Sequence, residues 1–334
     1  MTDISRQTGS GAHPWRATDA QSGQAALPLI SRLYESEQDL LAMQALLMDA
    51  RAQAGDWSHA HIGDLMWAFF LVTCQLDPRE HVRLWHDAEG KLVGYAMLGV
   101  DPPYDWQVLP EQAWAGIEDA ALEWALARLS EVRQRDPSRW PDSLTAGARQ
   151  DDARRISFLE GHGFRRGEYA EVNLLRALDD PFGQTPVPPG FEIRAVTGVA
   201  EAPLRALAEH IVWQPWPCGN INGDDYVRLM GLPGYEPELD VVAVAPDGTI
   251  AAYVNGWLDP VNHIGLLGPV GALPDYRRRG LTRAVLIECL RRMQARGMDR
   301  ACVSTGEDNV PARRLYESVG FRVVNSYLNY SRSG

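Results

Sequence analysis

Val270-Gly271-Ala272-Leu273-Pro274-Asp275-Tyr276-Arg277-Arg278-Arg279-Gly280-Leu281-Thr282 joins a strand-like run to a helical one. The run before it, Leu266 to Ala272, reads as a strand. The run after it places Leu281, Val285, Leu286, Ile287 and Leu290 on one apolar side of a helix. A glycine at such a junction lets the backbone bend so that successive N–H groups point into one concavity. The helix start adds partial positive charge and three arginines add full charge. The predicted ligand is a phosphate or pyrophosphate.

About two dozen residues further on, Arg300 to Thr305 reads as another strand, followed by Asn309-Val310-Pro311-Ala312-Arg313-Arg314-Leu315-Tyr316-Glu317-Ser318-Val319-Gly320-Phe321. Pro311 fits the first turn of a helix and Gly320 its C-terminal end. Ala312, Leu315, Tyr316 and Val319 recur at helical spacing, so Tyr316 belongs to the inward face. A phenol on such a face needs a partner for its hydroxyl, which often means a cleft; core packing is the plainer reading.

The two stretches together resemble the GNAT superfamily of acyl-CoA-dependent N-acetyltransferases. Arg277-x-x-Gly280-x-Thr282 matches the family's Arg/Gln-x-x-Gly-x-Gly/Ala turn, with Thr282 bulkier than the usual third residue. Asn309 through Phe321 match its Asn-x-x-Ala-x-x-Leu-Tyr-x-x-x-Gly-Phe pattern at every named position. The likeness extends over residues 188–334. It implies an α/β (α+β) fold, in which a mixed, mostly antiparallel sheet flanked by helices splays between its fourth and fifth strands, here near 265–272 and 300–305. It implies acetyl-CoA as cosubstrate, without metal. Val270 and Ala272 would pair with the pantetheine arm. Arg277, Arg278, Arg279, Gly280, Leu281 and Thr282 would hold the pyrophosphate, with Asn309 and Ala312 completing the cofactor site. Tyr316 would protonate the departing thiolate. Some relatives carry a glutamate as base on the fourth strand, where this chain has Leu266 and Leu267. His263 is the residue assigned as base here; Asp259, Glu236, Asp240 and a water relay stay open beside it.

The chain is also a degenerate tandem repeat. Residues 179–190, rich in proline and glycine, read as a linker. On either side the same landmarks recur in order: a strand and helix from Leu29 and from Phe191, a β-hairpin turning at Gly90 and at Gly248, and a helix ending in Gly163-Phe164 and in Gly320-Phe321. The expected division is an N-terminal extension (1–26) expected to be disordered, a degenerate copy (27–178), the linker, and a catalytic copy (191–334). In the first copy the basic turn becomes Pro110 to Glu118, which keeps a glycine and has no arginine. Glu111 and Glu118 would oppose a phosphate, Phe158 stands where Tyr316 is expected, and Asp151 or Asp152 replaces Asn309. The first copy is therefore read as structural or as shaping the substrate cleft. The tandem layout is similar to that of the mycothiol synthase group.

With 334 residues, 45% hydrophobic and 23% charged, the chain has material for two cores. Its net charge of −12 argues against nucleic acid or an anionic membrane as partner, and makes the arginine turn a local basic spot. Four cysteines without metal or disulfide spacing, and a polar N-terminus, point to a reduced, cytoplasmic protein; monomer and homodimer both stay open. The acceptor is expected to be a primary amine on a small molecule. Trp213 and Trp216 would wall its pocket or cement the two copies together. His59, His61 and Asp64 have a metal-like spacing without a second ligand cluster. A non-enzymatic acyl-CoA sensor or a scaffold is the rival to the enzyme.

Overall fold

The computed structural model describes residues 29–55, 60–99, 104–183, 185–214 and 220–333. The N-terminal extension, Trp216 and His59 lie outside these. The first half runs β1 (Ile30–Leu33), α1 (Glu37–Ala54), α2 (Ile62–Gln75), α3 (Pro78–His81), β2 (Val82–His86), β3 (Leu92–Leu98), β4 (Tyr104–Val108), α4 (Ile117–Arg135), β5 (Ser143–Arg149), α5 (Ala153–Gly161) and β6 (Arg165–Ala177). The second runs β7 (Glu192–Ala195), α6 (Ala202–Trp213), α7 (Gly223–Met230), β8 (Asp240–Val244), β9 (Ile250–Asp259), β10 (Ile264–Ala272), α8 (Leu281–Ala295), β11 (Arg300–Gly306), α9 (Val310–Ser318) and β12 (Arg322–Ser333).

β1 to β4 form one antiparallel sheet in chain order, and the other eight strands form a second sheet ordered β5-β12-β6-β11-β10-β9-β8-β7. The order is not that of two independent repeats. β6 of the first half lies between β11 and β12 of the second, and β12 lies between β5 and β6 of the first. Each half thus completes its partner's sheet with its own last strand. The long runs of residues that face different cores on alternate positions of β6 (Val172 and Leu174 inward, Asn173 opposite) suit a central strand.

β10 and β11 are the parallel pair, and they pair only through Ile264–Leu266 and Arg300–Cys302. Beyond Leu266 they part. On its other edge β10 stays paired with β9, with a register shift between Leu267 and Val270 where Pro269 has no N–H to give. One edge of β10 is therefore free from Leu267 onward. Helix α8 covers one face of the splayed sheet through Leu281, Val285, Leu286, Cys289, Leu290 and Met293.

The other face meets the first half. Gly63 at the start of α2 packs so close to Trp257 that an added Cβ would come within 2.5 Å of that ring. His61 donates from Nε2 to the Ile264 carbonyl at 3.2 Å; its Nδ1 accepts the Gly63 N–H at 3.0 Å, which fixes the tautomer. Asn262 donates to Met48 O at 3.0 Å, and Arg51 lies 3.6 Å from Asp259 with both side chains buried. Among the described residues no helix is long and apolar enough to cross a membrane.

Candidate active site

The two turns that end β4 and β10 have nearly the same backbone. Leu109 (φ −57°, ψ 140°) and Leu273 (φ −57°, ψ 142°) each enter a 3-10 turn that begins with proline. Trp114 and Arg278 then adopt left-handed conformations, at φ 66° and 62°. Gly116 (φ 102°) and Gly280 (φ 79°) cap the helices α4 and α8 in the same region. Two left-handed residues so close in sequence, ahead of a helix start, turn their N–H groups to one side, a shape that favours an anion.

Their contents differ. In the second turn Arg277, Arg278 and Arg279 are exposed. Arg277 is braced by Ala272 O (3.2 Å) and Arg279 by Asp275 O (3.1 Å), with its guanidinium 5.2 Å from the Tyr276 ring. The N–H groups of Arg278, Gly280, Leu281 and Thr282 meet no acceptor among the described residues. In the first turn Glu118 Oε1 accepts the Trp114 N–H at 2.7 Å, and Glu118 is buried.

The two short helices also correspond. Asp152 caps α5 by accepting Arg155 N at 2.9 Å, and Asn309 caps α9 by accepting Ala312 N at 3.3 Å. Phe164 N bonds Leu159 O, and Phe321 N bonds Tyr316 O, after the left-handed glycines Gly163 and Gly320. Leu159, not Phe158, therefore stands at the place of Tyr316. The sequence pairing was one residue out because it matched aromatic to aromatic; the caps and the closing hydrogen bonds set the register. Either residue lacks a hydroxyl.

Tyr316 is buried against Phe321, ring centroids 6.1 Å apart, in the core it shares with Leu267 and Val303. Burial pushes its phenol well above the usual tyrosine range, so it stays protonated. α9 is held from the other half. Arg176 on β6 donates to Val319 O at the C-terminal end of α9, to Asp180 O (3.0 Å) and to Pro181 O (3.2 Å). Its guanidinium also lies 4.6 Å from the Phe182 ring. An added Cβ on Gly320 would come within 2.9 Å of it.

His263 is not brought to this place. It occupies the left-handed position (φ 53°) of the turn before β10, at the end where β10 and β11 are paired. Its Nδ1 meets Gly297 O at 3.1 Å, which braces the turn after α8. The splay begins four residues along the strand, roughly 13 Å away. Asp259 is tied to Asn262 and Arg51, Glu236 to Arg296, and Asp240 to Arg205, Tyr226 and Tyr235. All three support structure rather than face the splay. Trp213 donates from its indole to the Tyr253 hydroxyl at 3.1 Å, and that hydroxyl presses on Gly271, where a Cβ would come within 2.3 Å. Trp213 is thus anchored to β9, beside the free end of β10.

Sequence reasoning did not single out the wall on the far side of the splay. Ser304 on β11 donates to Asn173 Oδ1 at 2.6 Å, and Asn173 donates to Asn325 on β12 at 2.6 Å. Beside this polar ladder on β6 lies Glu171, which accepts from Tyr169 at 3.1 Å. Glu171 and Asp105 on β4 both lie near enough to Asp64, at the start of α2, to raise its carboxyl, after burial as the larger cause. Asp64 is exposed by surface area; its Oδ2 accepts the His61 N–H at 2.9 Å in the capping box of α2, and crowding by protein pushes its carboxyl up to about 6. Burial also raises Asp105 and Glu171. A cavity of ≈ 360 Å³ lined by Glu168, Tyr169, Ala170, Glu307 and Asp308 opens at the ends of β6 and β11. No group of three His, Cys, Asp or Glu able to hold a metal occurs among the described residues.

A split parallel pair, a basic turn with left-handed residues at its open end and a buried tyrosine on the following helix are the features the site offers. The acetyltransferase (GNAT) family model matches residues 208–321. A mycothiol acetyltransferase of Frankia casuarinae is 43% identical over 253 residues, covering 70% of this chain and 69% of that protein. A mycothiol acetyltransferase of Kineococcus radiotolerans is 33% identical over 254 residues, covering 73% and 78%. Among solved structures, a tandem GNAT protein from the clavulanic acid biosynthesis pathway superposes with a TM-score of 0.59 at 18% identity, covering 92% of this chain and 99% of that one. The chain belongs to the GNAT acetyltransferase family, in its tandem form, and is an acyltransferase.

Proposed function

We propose that residues 191–334 carry the reaction, transferring acetyl from acetyl-CoA to a primary amine of a small molecule by direct attack. The observation that carries this is the contrast between two matched sites. The second turn offers unpaired N–H groups and arginines, and its helix bears Tyr316; the first turn is filled by Glu118, and its helix bears Leu159. The pantetheine arm pairs with the free edge of β10 at Val270 and Ala272, as an added strand would. Arg277 to Thr282 receive the pyrophosphate, and the capped start of α9 at Asn309 and Ala312 closes the other side.

The acceptor enters between the halves, over Asp64, Glu171 and the Ser304–Asn173–Asn325 ladder. An acidic cleft favours a cationic amine. A carboxylate with a pKa near 6 is suited to take the amine's proton, directly or through water, since it is ionised yet basic at neutral pH. The neutral amine attacks the thioester carbonyl, the C–N bond forms, and the C–S bond breaks as the tetrahedral intermediate collapses. The thiolate takes the proton of Tyr316, and the nitrogen's second proton, lost as the amide forms, returns to the phenolate through water. Burial raises phenol and thiol alike, so the transfer does not depend on the phenol's being strongly acidic. The names of the relatives favour an acceptor of the mycothiol kind, an amine-bearing precursor of a thiol cofactor.

Y316F tests this. Acetyl-CoA affinity should stay within about threefold while turnover on amine falls by about two orders of magnitude, the usual scale for a lost general acid. Unchanged turnover would remove Tyr316 from the reaction. An inability of wild-type protein to bind acetyl-CoA would remove the assignment altogether.

A further inference from the structure

The first half keeps a costly backbone whose turn N–H is met from within the chain. Trp114 has a φ of 66°, a conformation that a bulky residue adopts only when something compensates it. In the second half the matching residue, Arg278, presents its N–H at an open anion cradle. The first half is equivalent position by position, from Leu109 and Leu273 through Gly116 and Gly280 to the buried helix starts Ile117 and Leu281. That register places Glu118 on Thr282.

Glu118 is the compensation. Its Oε1 receives the Trp114 N–H at 2.7 Å, and its own backbone N–H also favours the carboxylate. The residue is 3% exposed, and Oε2 is buried without a hydrogen-bond partner. A carboxylate is seldom buried half-satisfied beside a helix start unless it answers the positive potential there. Thr282 has no group long enough to fold back in the same way.

We propose that the first half is a phosphate-type anion cradle held by a tethered carboxylate, Glu118, and that removing this carboxylate uncovers a site for a phosphate or pyrophosphate group. The proposal rests on the reading of the second turn as the pyrophosphate site. Glu118 does the work of a ligand: it satisfies the N–H groups that the left-handed turn exposes, and it keeps acetyl-CoA from a half that has no leaving-group acid.

Inorganic pyrophosphate titrated calorimetrically into the full chain decides it, with wild type compared with E118T, which copies the second turn. One site in wild type and two in E118T are expected, with the added site weakening as salt is raised. One site in both, with E118T folded by circular dichroism, would overturn the proposal and leave the second turn's assignment standing. No site in wild type and one in E118T would refute the second turn alone; no site in either would refute both. Should E118T fail to fold, amide exchange in E118A, which has no side-chain acceptor, takes its place. Trp114 N–H should then exchange at least tenfold faster than in wild type, and equal rates would overturn the proposal.

Discussion

Replacing Arg176 with methionine keeps most of the aliphatic stem and deletes a guanidinium that bonds four carbonyls, one on its neighbour Ala177 and three further off. Those three are Val319 O at the end of α9, Asp180 O at 3.0 Å and Pro181 O at 3.2 Å. A hydrogen bond from a charged donor contributes about 1.5–3 kcal/mol, and a cation at a helix C-terminus about 0.3–1 kcal/mol. Water reaches the linker carbonyls once the guanidinium is gone, so the net loss of stability should be about 2–4 kcal/mol. The consequence for catalysis is larger than that for folding. Val319 follows Tyr316 by less than one helical turn, so freeing the end of α9 lets the phenol drift. A displacement of about 1 Å is worth about a hundredfold in rate. We therefore expect R176M to lower kcat by about 10- to 100-fold, with acetyl-CoA affinity within about threefold, in an assay that follows release of the CoA thiol. R176K should recover only part, because one ammonium cannot span three carbonyls as a planar fork does. The diagnostic is the double variant: if Arg176 acts through Tyr316, R176M should cost little more in a Y316F background. A kcat within twofold of wild type in folded R176M, or full additivity with Y316F, would refute the reasoning.

His61 is held neutral, its pKa pushed down to about 3 by burial and by Arg51, so between that value and 6.5 the folded chain binds fewer protons than the unfolded one. Stability should therefore fall as pH drops through this window, and H61Q should flatten that slope in denaturant melts; an unchanged slope would place the effect elsewhere. Asp64, raised to about 6, must be ionised to receive a cationic amine or its proton. kcat/KM should rise with pH through that value, and D64N should both lower it at neutral pH and remove that limb; a limb that survives D64N would belong to another group. Ending the chain after Gly320 removes β12 and strips a partner from both β5 and β6. The truncated chain should lose cooperative unfolding and aggregate, and a soluble truncation with a sharp thermal transition would show that the exchanged strand is dispensable.

What was legible in the sequence was what local chemistry dictates. Gly280, Pro274, Asn309, Pro311 and Gly320 are punctuation whose meaning is settled within a few residues, and each sits where such a residue is needed. The splay could be located because both of its strands adjoin those marks. His263 failed for the opposite reason. It is close to β10 in sequence, but a strand has direction, and the residue before β10 lies at the closed end of the split. Arg176 left no trace: it lies 143 residues from Val319, at the end of a strand that sequence assigns to the other copy. Asp64 was noticed only as a metal candidate, since nothing in a helix-start Ile62-Gly63-Asp64 says that the helix will lie across Trp257 and the start of β10.

The strand exchange gives the first half a structural part in the second, apart from any chemistry of its own. A degenerate copy that merely packed beside an active one could be worn away by substitution at little cost. Here β6 supplies the strand that flanks β11, so the wall of the splay with Glu171 and Asn173 belongs to the first half in sequence and to the second in space. The same strand ends in Arg176, which fixes α9. The α2 start provides Asp64 and, through His61, a hydrogen bond to the first residue of β10. Loss of the first half would open the second half's sheet between β11 and β12, remove the wall that carries Glu171 and Asn173, and free the helix of Tyr316. If the second half carries the reaction as proposed, substitutions in the first half reach that site through a strand, a helix start and an arginine.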